Sequence, residues 1–157
     1  MFLVTIFSAI RNPGSFYLGG NIYQDWTTPQ NDDLWQDAVK TLFDPCPSGW
    51  RVPRSGEDDQ SPWRDFTLTN GSWIPSGGIQ WSTPQIHSGQ AWYACTGIRS
   101  ASTGTMMITT IEAYYWTSSP FFEKAGTSSH LGFSKTFINV NKSGGRNYSL
   151  PIRCVRE

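Results

Sequence analysis

Residues 43–53, FDPCPSGWRVP, constrain the fold of this chain more than any other part of its sequence. Prolines on both sides of Cys46 restrict the backbone there to extended conformations. The Ser-Gly pair that follows allows a turn, and a third proline ends the extended residues after it. We therefore predict that this stretch holds Cys46 rigidly and continues into a short buried strand containing Trp50 and Val52.

The second cysteine in a comparable context is Cys154, in the C-terminal segment IRCVR. A bond between Cys46 and Cys154 would close a loop of about a hundred residues, for which the chain-entropy model gives roughly 4 to 5 kcal/mol of stabilisation. The alternative is that the three cysteines stay reduced and are buried as small apolar side chains in a reducing compartment. An odd number of cysteines is compatible with both, so the residues alone leave the pairing open.

Aromatic residues make up 15% of the 157 residues and include eight tryptophans, so the core has to be built largely from rings. The length suits a single domain, and we predict one domain over residues 1–157. Five rings in strand-like or capped contexts are assigned to its core: Trp50, Trp63, Tyr115, Trp116 and Phe133.

The charge pattern excludes some classes of partner. Twelve basic and twelve acidic residues give a formal net charge of zero, and the basic residues are scattered along the chain. A nucleic-acid partner is therefore not expected. No apolar run reaches the roughly 18 residues that a membrane-spanning helix needs. The apolar opening MFLVTIFSAI lacks the features of a signal peptide, and its alternation predicts a first strand over residues 2–7.

The rest of the chain predicts an α+β domain of short helices and antiparallel strands. Helices are predicted at residues 32–40 (DDLWQDAVK) and 62–68 (PWRDFTL) from apolar spacing and capping. Residues 71–104, rich in Gly, Ser, Thr, Pro and Trp, predict an ordered, loop-rich layer. Strands are predicted at residues 105–111, 114–118, 130–133, 137–140 and 149–155, with turns at 122–127 and 142–145.

A succession of motifs points to a known family. In chain order they are RNPGSFYLGG, the Asp25-Trp26 pair, NDDLW, KTLFDPCPSGWRVP, YYWTSS, LGF and LPIRCVRE. Over roughly residues 11–157 the chain resembles the Fibrobacter succinogenes major paralogous domain. That family is common at the C-termini of surface and fimbrillin-like lipoproteins of Bacteroidetes.

The resemblance implies a C-type-lectin-like fold, with short helices, antiparallel strands and a long loop region. It also implies an exported module at the outer-membrane surface, and we expect the chain to be the C-terminal part of a longer exported protein. This context favours a disulfide between Cys46 and Cys154. One departure is that residues 54–61 (RSGEDDQS) are acidic and helix-poor where family members commonly continue with a regular helix.

Metal and catalytic chemistry have weak support in the sequence. The calcium-binding triplets of sugar-binding C-type lectins are missing, and the acidic residues 57–59 are better interpreted as a solvated loop than as a hard-cation site. His87 and His130 lack carboxylates or cysteines at zinc-ligand spacing. A nucleophile pair of Cys95 with His87 is the enzyme alternative. We predict no catalytic residues, no metal and no cofactor.

The candidate ligand site is a set of rings in the loop-rich layer: Trp73, Trp81, Trp92 and Tyr93. Rings interleaved with amides and hydroxyls can bind a glycan or anchor a surface or matrix protein. The alternative for each ring is burial beneath the long loops. The predicted function is therefore non-catalytic adhesion or recognition, and a structural role in a fimbrial or surface assembly is the alternative.

Three arginines lie beside aromatic residues in strand or loop contexts: Arg51, Arg99 and Arg153. An arginine side chain covers apolar surface with its stem and carries five N–H donors at its end. We predict that these three pack on neighbouring rings and bind backbone carbonyls rather than a ligand.

Overall fold

The computed structural model describes the chain except for residues 1–4, 13, 19–24, 26, 28, 82–90, 109, 122 and 124–125. The described part contains one short helix and ten strands, which form four antiparallel sheets. This helix of the described part is not long and apolar enough to cross a membrane. The elements are α1 (Ile6–Arg11), β1 (Trp50–Arg51), β2 (Gly71–Ile74), β3 (Gly78–Trp81), β4 (Ala91–Ala94), β5 (Ile98–Arg99), β6 (Met106–Met107), β7 (Glu112–Pro120), β8 (Thr127–Ser134), β9 (Ile138–Gly145) and β10 (Val155–Arg156).

Antiparallel strands are confirmed as the main elements of the fold, but the strand predicted at residues 105–111 is reduced to β6, and the helical content is much smaller than predicted. The architecture is therefore α+β or mainly β, with α1 as the helix of the described residues. Thr5 caps α1, because its hydroxyl accepts from the backbone N–H of Ser8, and so the prediction of a strand reaching residue 7 is wrong.

The largest sheet contains β7, β8 and β9 in that order and includes the strands predicted at residues 114–118, 130–133 and 137–140. The turn predicted at residues 142–145 is wrong, because β9 continues through them. Gly144 is needed there for a different reason: a Cβ atom on it would lie 2.7 Å from Cε1 of His130. Glycine at this position thus leaves room for the imidazole ring and does not mark a turn. The strand predicted at 149–155 is reduced to β10 and a single bridge between Ser149 and Arg99.

The second sheet contains β2, β3 and β4, and it replaces the predicted loop-rich layer. β2 and β3 are joined by a tight turn in which Gly77 has a φ of +88°. Each strand is four residues long, so the alternation of buried and exposed residues is too brief to stand out among the Gly, Ser and Thr residues. The connection between β3 and β4 is residues 82–90, which lie outside the described part.

The two large sheets share a core made mainly of rings, as predicted. Phe66 and Trp81 stack with ring centroids 4.4 Å apart, and Trp81 meets Phe133 edge to face at 5.0 Å. The polar atoms of the rings are paired, since Nε1 of Trp63 donates to the hydroxyl of Tyr93 at 2.8 Å and Nε1 of Trp81 donates to the Thr67 carbonyl at 2.9 Å. Buried Trp and Tyr groups without such partners would be costly.

Four of the five rings assigned to the core are buried: Trp63, Tyr115, Trp116 and Phe133. The assignment of Trp50 to the core is wrong, because 44% of this residue is exposed. β1 pairs only with β10 in a two-residue ladder, so no second layer covers the Trp50 indole. Val52 is fully buried instead.

The helix predicted at residues 32–40 is wrong, and the segment consists of turns and bends held by long-range side-chain contacts. Nζ of Lys40 donates to the carbonyls of Cys46 at 2.6 Å and Trp50 at 2.5 Å. Nη2 of Arg51 donates to the carbonyls of Gln36 and Asp37 at 2.7 and 2.6 Å. Arg51 thus binds carbonyls within the segment itself, and tertiary contacts of this kind outweigh a weak local propensity.

Residues 62–68 also form turns instead of the predicted helix. Ser61 accepts from the backbone N–H of Trp63 as a cap should. The side chain of Asn70 then ends the segment, since it donates to the Asp65 carbonyl and accepts from the N–H of Thr67. A single turn results, and it places Trp63 and Phe66 in the core.

Cys46 and Cys154 form a disulfide, which confirms that pairing. Their Cα atoms are 5.8 Å apart and are separated by 108 positions in the sequence. The carboxylate of Asp44 supports the bridge, because it accepts from the N–H groups of Cys46 and Val52 at 2.8 and 3.0 Å. Cys95 is the free cysteine and is buried.

Replacing Cys46 and Cys154 together with serine is expected to lower the free energy of unfolding by roughly 4 kcal/mol, because the unfolded chain regains the entropy of the open loop. Urea unfolding followed by tryptophan fluorescence measures the change. C95A is the control, because it removes a cysteine and leaves the bond between Cys46 and Cys154 intact. A double variant as stable as C95A would contradict a stabilising role for the bridge.

Candidate functional site

The four rings predicted as the ligand site lie on two opposite faces of the β2–β3–β4 sheet. Trp81 and Tyr93 point into the core and are 0% and 3% exposed, and Trp73 is half-buried against the same core. Trp92 points the other way and is 45% exposed. This corrects the assignment of Trp81 and Tyr93 to a ligand-binding face, since side chains alternate across a strand and neighbours cannot share a face.

Trp92 lies on the outer face of the sheet and rests on a glycine. A Cβ atom on Gly78 would be 2.7 Å from Nε1 and 3.2 Å from Cε2 of the indole. The ring therefore lies across the Gly78 backbone, a position that a larger residue would close. Gln80 is paired with Trp92 in the strand register, and Ser72 is paired with Gln80. The outer face thus carries an indole, an amide and a hydroxyl in one row across the strands.

Arg153 lies against the free edge of β4. Its Nη1 donates to the carbonyl of Trp92 at 2.8 Å, and its guanidinium carbon is 4.5 Å from the centroid of the Tyr93 ring. Arg51 binds carbonyls, and Arg99 binds the Gly104 carbonyl and lies over the ring of Phe16. The predicted carbonyl contacts of all three arginines are confirmed, and the predicted packing on a ring is confirmed for Arg99 and Arg153.

No local pattern indicates that Arg153 contacts the backbone of Trp92, because 61 positions separate the two residues. The fold brings Arg153 and the Trp92 carbonyl together. Arg153 precedes Cys154, and the disulfide to Cys46 fixes that part of the chain beside the sheets. Only a correct disulfide pairing together with the β2–β3–β4 sheet would have indicated the contact.

A second concave region surrounds Trp116, which the sequence assigns only to the core. Three cavities of about 220, 330 and 180 Å³ are each lined in part by this residue. The first contains Arg146, whose guanidinium pairs with Asp32 at 2.6 Å and Asp25 at 3.4 Å and donates to the Asn31 carbonyl. All three of these charged groups are engaged in ion pairs, with one cation facing two carboxylates.

The residues of the enzyme alternative do not form a reactive pair in the described part of the chain. Cys95 is buried, and burial raises the pKa of its thiol, with a further contribution from the carboxylate of Glu112. A raised pKa reduces the thiolate that a nucleophilic cysteine needs. His87 lies outside the described residues.

His130 is buried between the rings of Tyr114 and Trp116, which it meets edge to face. Burial and the positive charge of Lys142 lower its pKa to about 4. Its Nδ1 has no hydrogen-bond partner among the described residues. The imidazole is therefore neutral at pH 7, and its surroundings do not stabilise a proton on it.

The acidic residues 57–59 do not converge on a common point. Arg54 pairs with Asp58 at 3.2 Å, and Arg64 pairs with Asp59. Glu57 is exposed. Within the described ranges no three His, Cys, Asp or Glu side chains are grouped as a metal site would require.

Comparison of the chain with protein-family models, with curated proteins and with solved structures found no match. The family suggested by the sequence motifs therefore stays a prediction. The features that bear on function are the geometry around Trp92 and the disulfide-closed fold that presents it.

Acid is expected to destabilise the protein through His130. The unfolded imidazole takes up a proton below about pH 6.5, whereas the folded one does so only near pH 4. The unfolded state thus binds more protons in this window, and stability falls as the pH decreases through it, by up to roughly 3 kcal/mol. Urea unfolding at pH 7 and pH 4.5 measures the loss.

H130F is the matched variant, because it keeps a ring between Tyr114 and Trp116 and removes the titrating group. The carboxylates are the same in both proteins, so their contribution cancels in the comparison. The variant should lose less stability on acidification than the wild type. Equal losses would show that His130 does not contribute.

Proposed function

We propose that this chain is a non-catalytic recognition module at the cell surface, with a C-type-lectin-like fold, that binds a glycan through the outer face of its β2–β3–β4 sheet. The observation that carries the proposal is the exposed indole of Trp92, which lies across Gly78 next to the row formed by Gln80 and Ser72. A ring of this kind stacks on the apolar face of a sugar, while amides and hydroxyls bond to its hydroxyl groups.

The disulfide supports an extracellular location. A bridge between Cys46 and Cys154 forms and persists in oxidising surroundings, which include the periplasm and the bacterial surface. The motif resemblance points the same way, toward a module of a fimbrillin-like surface lipoprotein of Bacteroidetes. The chain would then meet host or bacterial glycans directly.

A non-catalytic role is supported by the state of the groups that chemistry would need. The thiol of Cys95 has a raised pKa, and His130 is buried and neutral. The described row on the outer face of the sheet consists of an indole, an amide and a hydroxyl, groups that stack and hydrogen-bond but do not form an acid and base pair.

A structural role in a surface assembly is favoured by a different observation. Several apolar side chains are exposed on and before β1: Val39, Leu42, Phe43 and Trp50. Exposed apolar side chains of this kind suit contact with another protein. In that case the partner is a neighbouring surface subunit or matrix protein, and the relevant tryptophan is Trp50 rather than Trp92.

The two tryptophans provide a matched test. A glycan array probed with the oxidised domain should give binding that W92A weakens by about tenfold or more, the usual effect of removing an interface tryptophan. W50A removes an indole of nearly equal exposure, 44% against 45%, and should leave glycan binding unchanged. Because no calcium triplet is present, binding should persist in EDTA.

Near-ultraviolet circular dichroism verifies that both variants keep the fold. Glycan binding that survives in W92A would refute the proposed site. If no glycan binds and W50A instead loses a co-purifying surface subunit, the structural role is the correct one.

A further inference from the structure

A cavity of about 220 Å³ lies between α1 and the face of the largest sheet that points away from the core of rings. Ile6, Ala9 and Ile10 line it from the helix, and Trp116 lines it from β7. All six residues of α1 are described, and none of them is buried. Since a helix this short depends on packing for its stability, a molecule in the cavity would complete the contact of α1 with the sheet.

The walls of the cavity are mainly apolar and aromatic. Leu34, Trp35 and Phe43 line it from the segment before β1. Nε1 of Trp35 donates to the Phe43 carbonyl at 2.9 Å, and Trp116 meets His130 edge to face, so both indoles are held in place. An apolar cavity of roughly 150 Å³ accepts a benzene molecule in another protein. The cavity under α1 therefore has room for an aromatic ring and a short chain.

The charged part of the lining carries more negative than positive charge. Arg146 pairs with Asp32 at 2.6 Å and with Asp25 at 3.4 Å, and all three residues line the cavity. The side chain of Asp25 is only 2% exposed, whereas that of Asp32 is 58% exposed. A carboxylate can accept several hydrogen bonds, so Asp32 can bind a second donor beside Arg146. A cationic ligand would balance the second carboxylate.

We infer that this cavity binds a small amine with an aromatic body, of the size of phenethylamine. The ring contacts the indoles of Trp35 and Trp116, and the ammonium group donates to the carboxylate of Asp32. A neutral ligand of the same shape can use the walls but not the charge, and a carboxylic acid is repelled. Trp92 is not part of the lining, so this site is independent of the proposed glycan site.

Three probes of similar shape and different charge test the inference: phenethylamine, 2-phenylethanol and phenylacetate. Each is titrated into the oxidised domain at pH 7 and followed by amide NMR shifts, which also locate the probe. The amine should bind about fivefold more tightly than the alcohol, as expected for a partly exposed ion pair, and the acid more weakly than the alcohol. The preference should shrink as salt is raised, because Asp32 is exposed.

D32N removes the charge and keeps the shape of the side chain, so it should lower amine binding to the level of the alcohol. D33N is the matched control, because Asp33 is an exposed neighbour that does not line the cavity, and it should change nothing. A9F fills the cavity from α1 and should abolish binding of the amine and the alcohol. If A9F does not fold, the probes on the wild type and on D32N still decide the matter.

Several results would overturn the inference. Equal binding of amine and alcohol by the wild type, or a preference for the amine that persists in D32N, would contradict the role of Asp32. Shifts confined to residues away from α1, Trp35 and Trp116, or no binding of any probe, would refute the site. W92A should bind the amine as the wild type does, because its indole lies on the other sheet.

Discussion

The stacking of Phe66 on Trp81 is the contact on which the arrangement of the sheets depends. Trp81 belongs to β3 and reaches Phe133 of β8 on its other side, so one indole joins the two large sheets. Its Nε1 is bound to the Thr67 carbonyl, which fixes the ring in one orientation. Because Trp81 must point inward, the pairing of β3 with β4 turns Tyr93 inward as well. Trp92 is then forced outward, and the exposed indole is a consequence of how the core is packed.

Charged side chains satisfy backbone carbonyls that helices satisfy in other domains. Lys40 and Arg51 bind backbone carbonyls, and the carboxylate of Asp37 accepts from the hydroxyls of Ser118 and Ser119 on β7. A segment without regular structure is fixed in this way to the disulfide and to the largest sheet. Partly buried carbonyls need such partners once strands and helices do not supply them.

The sequence predicted the parts of the fold that are encoded locally or covalently. The residues around Cys46 and Cys154 left the pairing open and the family resemblance favoured it, while the strands predicted at residues 114–118 and 130–133 lie within β7 and β8. Strands of four residues gave too short a pattern, so β2 to β4 were missed. For the candidate site, composition pointed to Trp92 as one of four rings. It did not indicate on which face of the sheet the Trp92 side chain lies. The contact of Arg153 with the Trp92 carbonyl joins residues 61 positions apart, and no local pattern in the sequence encodes it.

The disulfide has a mechanical consequence for a chain held at its ends. Tension that enters before Cys46 passes through the sulfur atoms to Cys154, because the covalent path is far stiffer than the folded backbone. Strands β1 to β9 lie inside the closed ring, as do Trp92 and Arg153. Pulling on the two ends can extend the residues outside the ring, while the 108-position loop bears no load. Tension between the two ends would therefore leave the β2–β3–β4 sheet in place while the N-terminal segment unravels.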